Sequence, residues 1–87
     1  MKINIENGRL EHAIGLSNCP RFYGNRYGTF YKAYRNYYTI AKGRTDKKII
    51  KLVEQGLMIE KFKCYFSVTE EGYKHLEKKY NIRIVRY

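Results

Sequence analysis

Along this chain the spacing of hydrophobic positions changes several times, and each spacing predicts an element. Ile3 and Ile5 alternate with polar neighbours, the signature of a short strand, and Gly8 breaks it. Leu10, Ala13, Ile14 and Leu16 then share one side of a helix over residues 9–17. The SNCP run ends that helix, because Pro20 disfavours helical backbone at the residue before it. Gly24, Asn25 and Gly28 are turn formers, so residues 21–28 are expected to be a loop despite their aromatics. A second helix is predicted over residues 29–42, capped by Thr29 and stopped by Gly43. At helical spacing Phe30, Ala33, Tyr34, Tyr37 and Ala41 share its buried face, while Lys32, Arg35, Thr39 and Lys42 share another.

The third helix is the clearest. Thr45 or Asp46 caps it, Ile49, Ile50, Val53 and Leu57 form its buried stripe, and Gly56 ends it. Arg44, Lys48, Lys51 and Gln55 lie on the opposite face, with Lys47 beside them. LMIEKFKCYFSV then alternates and bends at EKFK, which predicts a hairpin with strands near 57–61 and 64–68. Thr69 caps a last helix, whose first turn holds Glu70 and Glu71 where the helix dipole favours anions. Tyr73, Leu76 and Tyr80 follow at helical spacing. In the closing NIRIVRY, Ile82, Ile84 and Tyr87 alternate against Arg83 and Arg86, a final short strand.

Composition adds a partner to this picture. A chain of 87 residues, 44% hydrophobic and 30% charged with a single proline, is one folded domain over residues 1–87. Its formal charge of +10 is a strong field for so short a chain and points to an anionic partner. No acid lies between Glu11 and Asp46, a span that holds Arg21, Arg26, Lys32, Arg35, Lys42 and Arg44. The N-terminus lacks an apolar run and no segment approaches the ~18 apolar residues of a membrane span, so neither secretion nor a membrane partner is indicated. Cys19 and Cys64 are expected to be reduced thiols; with His12 and His75 they match no zinc spacing, and no metal or other cofactor is expected. No nucleophile, base and orienting acid are set to converge, and neither a phosphate-cradling glycine loop nor HExxH is present. No catalytic residue is assigned, and an enzyme is not expected.

Helix, helix, basic helix, hairpin and helix, in that order, resembles a winged helix-turn-helix. The resemblance is sharpest in LVEQGLM, residues Leu52 to Met58, and VTEEGYKHL, residues Val68 to Leu76. In the first, Gly56 ends the helix so that an apolar pair can start the wing; in the second, Thr69 caps a helix and Gly72 permits close packing. The implied fold class is α+β, a winged helix-turn-helix of about four helices with a short two-stranded wing and short terminal strands. HAIGL (His12 to Leu16) and YRNYY (Tyr34 to Tyr38) are also similar to a set of small bacteriophage and prophage proteins. That similarity implies a phage or mobile-element origin and the cytoplasm of a bacterial host.

The winged-helix resemblance assigns Lys47, Lys48, Lys51 and Gln55 to a recognition helix in the major groove, with Arg44 ahead of it and Lys61 and Lys63 at the wing tip. Lysines bind phosphate as point charges, so the expected partner is double-stranded DNA held mainly through its backbone. Arg21, Arg26, Lys32 and Arg35 extend the candidate DNA-binding set; Arg35 alternatively bridges over tyrosine rings. Tyr34 and Tyr37 are read as core, and His12 as structural. Phe22, Tyr23 and Tyr27 either cover the core or stack on unpaired bases, a single-stranded DNA or RNA mode. The rival reading is a phage-encoded interaction protein that blocks a host factor, as anti-restriction and anti-CRISPR proteins do, because Tyr and Arg are favoured at interfaces. Winged helices often form homodimers, although no coiled-coil seam is visible here.

Overall fold

The computed structural model describes residues 3–18 and 21–87. Cys19 and Pro20 lie outside the described residues, but the first helix, expected over residues 9–17, already stops at Ala13, with Gly15 at φ 78 just beyond it. The elements run α1 (Arg9–Ala13), β1 (Phe22–Asn25), β2 (Gly28–Lys32), β3 (Tyr38–Thr39), α2 (Lys47–Glu54), β4 (Met58–Phe62), β5 (Tyr65–Val68), α3 (Glu70–Tyr80) and β6 (Arg83–Val85). They build two three-stranded sheets, β1–β2–β6 and β3–β5–β4. β1 runs antiparallel to β2 and β6 runs parallel to it, whereas the second sheet is antiparallel throughout.

The class is α+β, but the winged helix-turn-helix expectation is overturned. Among the described residues there are three helices, of which α1 has only five residues, and six strands. The predicted helix over 29–42, which would have supplied the helix-turn-helix, does not form. Its first part is strand β2, paired on both edges, and β3 takes its later part. The predicted loop at 21–28 is the other arm of a hairpin, with Arg26 and Tyr27 at its turn and the Tyr27 amide donating to Asn25 Oδ1 at 2.7 Å. The physical reason is that aromatic and β-branched side chains suit a pleated, half-buried surface. Burial follows period two: Tyr31 is 2% exposed and Ala33 buried, while Lys32 is exposed and Tyr34 is 52% exposed. Tyr34 and Tyr37 are therefore not core.

Smaller corrections follow the same logic. Ile3 and Ile5 pack against the core without forming a strand, Ile50 in the predicted buried stripe is exposed, and Tyr87 lies outward. Other expectations hold. Leu10, Ala13, Ile14 and Leu16 are buried together with Ile49, Met58, Leu76, Ile82 and Ile84 in one core cluster. Asp46 caps α2, and Thr69 Oγ1 accepts from the Gly72 amide at 3.1 Å to cap α3. Gly56, at φ 77, lets Leu57 N donate back to Leu52 O and its own amide to Val53 O, which closes α2 and frees Met58 to start β4. Thr69 Oγ1 also donates to Gly56 O at 2.6 Å, so the two apparent motif halves meet in space. Among the described residues no helix is long and apolar enough to cross a membrane.

Two polar devices hold the elements together. Tyr31 Oη donates to Ile14 O at 2.8 Å, and burial, with Tyr34 beside it, pushes its pKa up to about 12. Arg86 makes a bidentate pair with Glu77 (2.9 Å for each bond) and also reaches Glu70 at 2.8 Å, tying the chain beyond β6 to α3. The Arg86 guanidinium holds the Glu77 pKa below the ordinary glutamate value of 4.5, helped by the Ile84 amide and against some burial. A folded-state pKa lowered in this way gives stability that is complete above pH 4.5 and lost as the pH falls through the lowered value. Acid titration of thermal stability is therefore expected to show a decline below that pH, and Glu77→Gln to remove roughly 1 kcal/mol at neutral pH and flatten the decline. An unchanged acid limb in the variant would place the sensitivity elsewhere.

Candidate nucleic-acid interface

The outward charge of α2 begins with how its first turn is fixed. Asp46 Oδ1 accepts from the Lys48 and Ile49 amides at 3.0 and 3.2 Å, and its other oxygen accepts from Arg9 Nε at 3.2 Å. Burial opposes the charged carboxylate, but the Ile49 amide and the Arg9 guanidinium outweigh it and hold Asp46 below the usual aspartate range. Beyond this cap Lys47, Lys48 and Lys51 are all exposed. Among the described residues, every ion pair is made by Arg9, Lys74, Lys79 or Arg86, so none of the α2 lysines has a carboxylate within 4.0 Å.

Lys48, Lys51 and Gln55 line a hollow of about 420 Å³ together with Arg9, His75 and Lys79. Two of these cations are already engaged. Arg9 holds Asp46, and Lys79 Nζ lies 2.6 Å from Glu6 and 3.2 Å from the buried Glu11. The Glu6 contact chiefly, with Glu11 and against burial, raises the Lys79 pKa above its usual value. Glu11 also accepts a hydrogen bond from Tyr80 Oη, a buried polar cluster that the helical pattern did not reveal. An anion entering the hollow would thus find Lys48 and Lys51 uncommitted and Gln55 as a donor, beside the carboxylates of Glu6 and Glu11 that hold Lys79.

The other candidates divide among three places. Arg44 turns away from the lysines, into a hollow of about 320 Å³ with Glu54, Glu60 and Cys64. Lys61, near the end of β4, and Lys63, in the β4–β5 turn, are both exposed, on a hairpin whose first strand packs against α2. Arg21 and Lys32 sit with Tyr23, Tyr34 and Tyr87 around a third hollow of about 610 Å³ on the β1–β2–β6 sheet. Arg26, at the β1–β2 turn, lies 5.6 Å from the Tyr27 ring centre.

Arg35 points inward instead. Its Nη2 donates to His12 O at 2.8 Å, and the guanidinium lies over the Tyr34 and Tyr37 rings at 5.5 and 5.8 Å. The bridging role over tyrosines is the one it occupies. Three positions near these hollows were absent from the sequence-derived set: Arg9, His75 and Tyr87. For Tyr87 the signal was available, since it continues the outward period of Arg83 and Val85. Arg9 and His75 meet α2 only through tertiary packing, and no local pattern marks them. Comparison with family models, with curated proteins and with solved structures gives no match for this chain.

Proposed function

We propose that this is a small basic nucleic-acid-binding protein that holds duplex DNA mainly through phosphate contacts along the lysine face of α2. The carrying observation is that Lys47, Lys48 and Lys51 are exposed on one short helix and, among the described residues, have no carboxylate within 4.0 Å. Lysine on a solvated surface is common, but here the net charge of +10 leaves most cations without partners to neutralise them. Contact through lysine point charges gives affinity with little sequence reading, and Gln55 alone among them is suited to a base edge. A mobile-element origin, with the cytoplasm of a bacterial host as the place of action, is part of the same proposal and rests on HAIGL and YRNYY alone.

Neutralising three phosphates gives a slope of log affinity against log salt of about −2.7. Electrophoretic shift on a mixed-sequence duplex, between about 50 and 200 mM salt, is expected to show at least this slope. Lys48→Ala with Lys51→Ala is expected to reduce the slope by about two without unfolding the chain. Flat salt dependence, or no duplex binding at the lowest salt, would sink the proposal.

A host-protein target is the second reading, and one observation favours it. On the β4–β5 hairpin the exposed Phe62 meets Tyr65 edge-on at 5.8 Å between ring centres, and Tyr37, just before β3, stacks on Tyr65 at 5.9 Å. Exposed aromatics grouped in this way are typical interface anchors. A host protein retained after nuclease treatment, and released by Phe62→Ala, would support it.

A further inference from the structure

We propose that the outward face of the β1–β2–β6 sheet binds an unpaired polynucleotide strand, with bases stacked on Tyr23 and Tyr87 and phosphates met by Arg21, Lys32 and Arg83. This goes beyond the duplex reading, because it uses a different surface and different chemistry. The strand register decides which side chains share the face. Tyr23 pairs with Phe30 and Phe30 with Arg83, one row across three strands; Lys32 pairs with Val85 in the next. Paired residues point to the same side of a sheet, so this row and its neighbours face out together. The opposite side carries Phe22, Tyr31 and Ile84, which are packed inward.

The outward rings are accessible: Tyr23 is 61% and Tyr87 76% exposed. They do not stand alone: with Arg21, Lys32 and Tyr34 both line the 610 Å³ hollow, which lies at the end of the sheet and reaches in to Tyr31 and Ala33. That volume is within the range of pockets that hold small organic groups. In the middle of the face the Arg83 guanidinium lies 6.0 Å from the Phe30 ring centre. A guanidinium held on a ring is a second kind of stacking platform for a base, and its charge remains available to phosphate.

Charge complementarity selects the occupant. Strands β1, β2 and β6 contain no acid, and the face carries Arg21, Lys32 and Arg83 with Arg26 at the hairpin turn. Rings interleaved with cations match a chain of π-faced bases on a phosphate backbone. A duplex does not fit this face as well, because its bases are stacked on one another and hide the surfaces that tyrosine would cover. A protein partner would need an acidic surface; it is the alternative outcome of the test.

The experiment measures binding of the full chain to an oligothymidylate of about twelve residues, within the usual site size of such surfaces, beside a duplex control. Intrinsic tyrosine fluorescence is the second readout; the chain has no Trp to dominate the emission, and the double variant separates Tyr23 and Tyr87 from the other eight tyrosines. Tyr23→Ala with Tyr87→Ala is expected to weaken oligothymidylate binding by about tenfold or more and to abolish the quenching, while duplex affinity stays unchanged. Tyr23→Phe with Tyr87→Phe keeps the rings and is expected to bind as the wild type does. The Lys48→Ala, Lys51→Ala protein is expected to lose duplex affinity and retain the single strand, so the two readings fail separately.

Wild-type protein that ignores oligothymidylate, or a Tyr23→Ala, Tyr87→Ala protein that binds it undiminished, overturns the proposal. So does a nuclease-resistant protein partner lost in that variant when no oligothymidylate binds. Matched thermal midpoints for the two tyrosine variants tie any loss to the rings rather than to folding.

Discussion

Gly72→Ala is expected to destabilise this protein by roughly 2–3 kcal/mol, although the change sits inside a helix where alanine is intrinsically the better residue. Gly72 is in the first turn of α3, and a Cβ there would stand 2.3 Å from Leu57 O and 2.6 Å from Val68 Cγ1. The nearer atom belongs to the backbone and cannot rotate away. Leu57 O also accepts from the Thr69 amide at 3.1 Å, so moving α3 outward disturbs its own cap. The helix-propensity gain of about 1 kcal/mol acts in the opposite direction and is smaller than the overlap. For a chain of this size the net loss corresponds to a fall of about 10–20 °C in melting temperature. Gly56→Ala is the informative comparison. Nothing lies within 4 Å of a Cβ there, so its cost, about 1 kcal/mol, comes only from the positive φ of 77. If Gly72→Ala melts at or above the wild type, the close approach of α3 to Leu57 is not as described.

Asn36→Ala is expected to cost about 2–4 kcal/mol, through two hydrogen bonds that replace a missing rung of a β-ladder. β3 pairs with β5 at Tyr38↔Phe66 and Thr39↔Tyr65, and the same register carried on would set residue 36 opposite Val68. Instead of backbone, the Asn36 side chain completes the pairing: Oδ1 accepts from Val68 N at 2.7 Å and Nδ2 donates to Val68 O at 3.0 Å. Ser67 Oγ donates to Asn36 O at 3.1 Å beside them. Removing the amide leaves both groups of a buried residue without these partners, and unmet polar groups cost more than the bonds themselves contributed. Asn36→Asp keeps the shape but sets an acceptor against Val68 O, so it is expected to lose stability on the same scale. Hydrogen exchange checks the mechanism directly: in Asn36→Ala the Val68 amide should lose protection before the rest of β5, whereas in Asn36→Asp, which keeps an acceptor for that amide, it should not be the first to open. Unaltered protection would show that the contact does not hold this edge.

These two sites show how much of the molecule was legible. Gly72 belonged to a motif whose purpose, close packing of a capped helix, was readable from Thr69 and Gly72 together. Asn36 was equally visible in YRNYY but was read as part of a helix, because Phe30, Ala33, Tyr34, Tyr37 and Ala41 satisfy helical spacing. The same stretch also satisfies period two at Tyr31 and Ala33, and both patterns are present in the residues. Of the candidate site, the α2 lysines were legible as an uncompensated helix face. The single-strand surface was half legible: Tyr23 stood out as an aromatic in a turn-rich segment, but its companions Phe30, Arg83 and Tyr87 did not.

The sequence by itself determined the devices that act within a few residues: a cap at Thr45 or Asp46, the Thr69 cap, the Gly56 stop, the alternation of Ile82 and Ile84, and the excess of positive charge. Each depends on a neighbour in the chain or on composition, so no fold is needed to read it. The tertiary structure alone decided residues 21–42. That segment is aromatic enough for either period, and β6 pairing with β2, together with Val68 pairing with Asn36, selected the strand. Those partners lie far along the chain, and their contribution exists only once the chain has closed on itself.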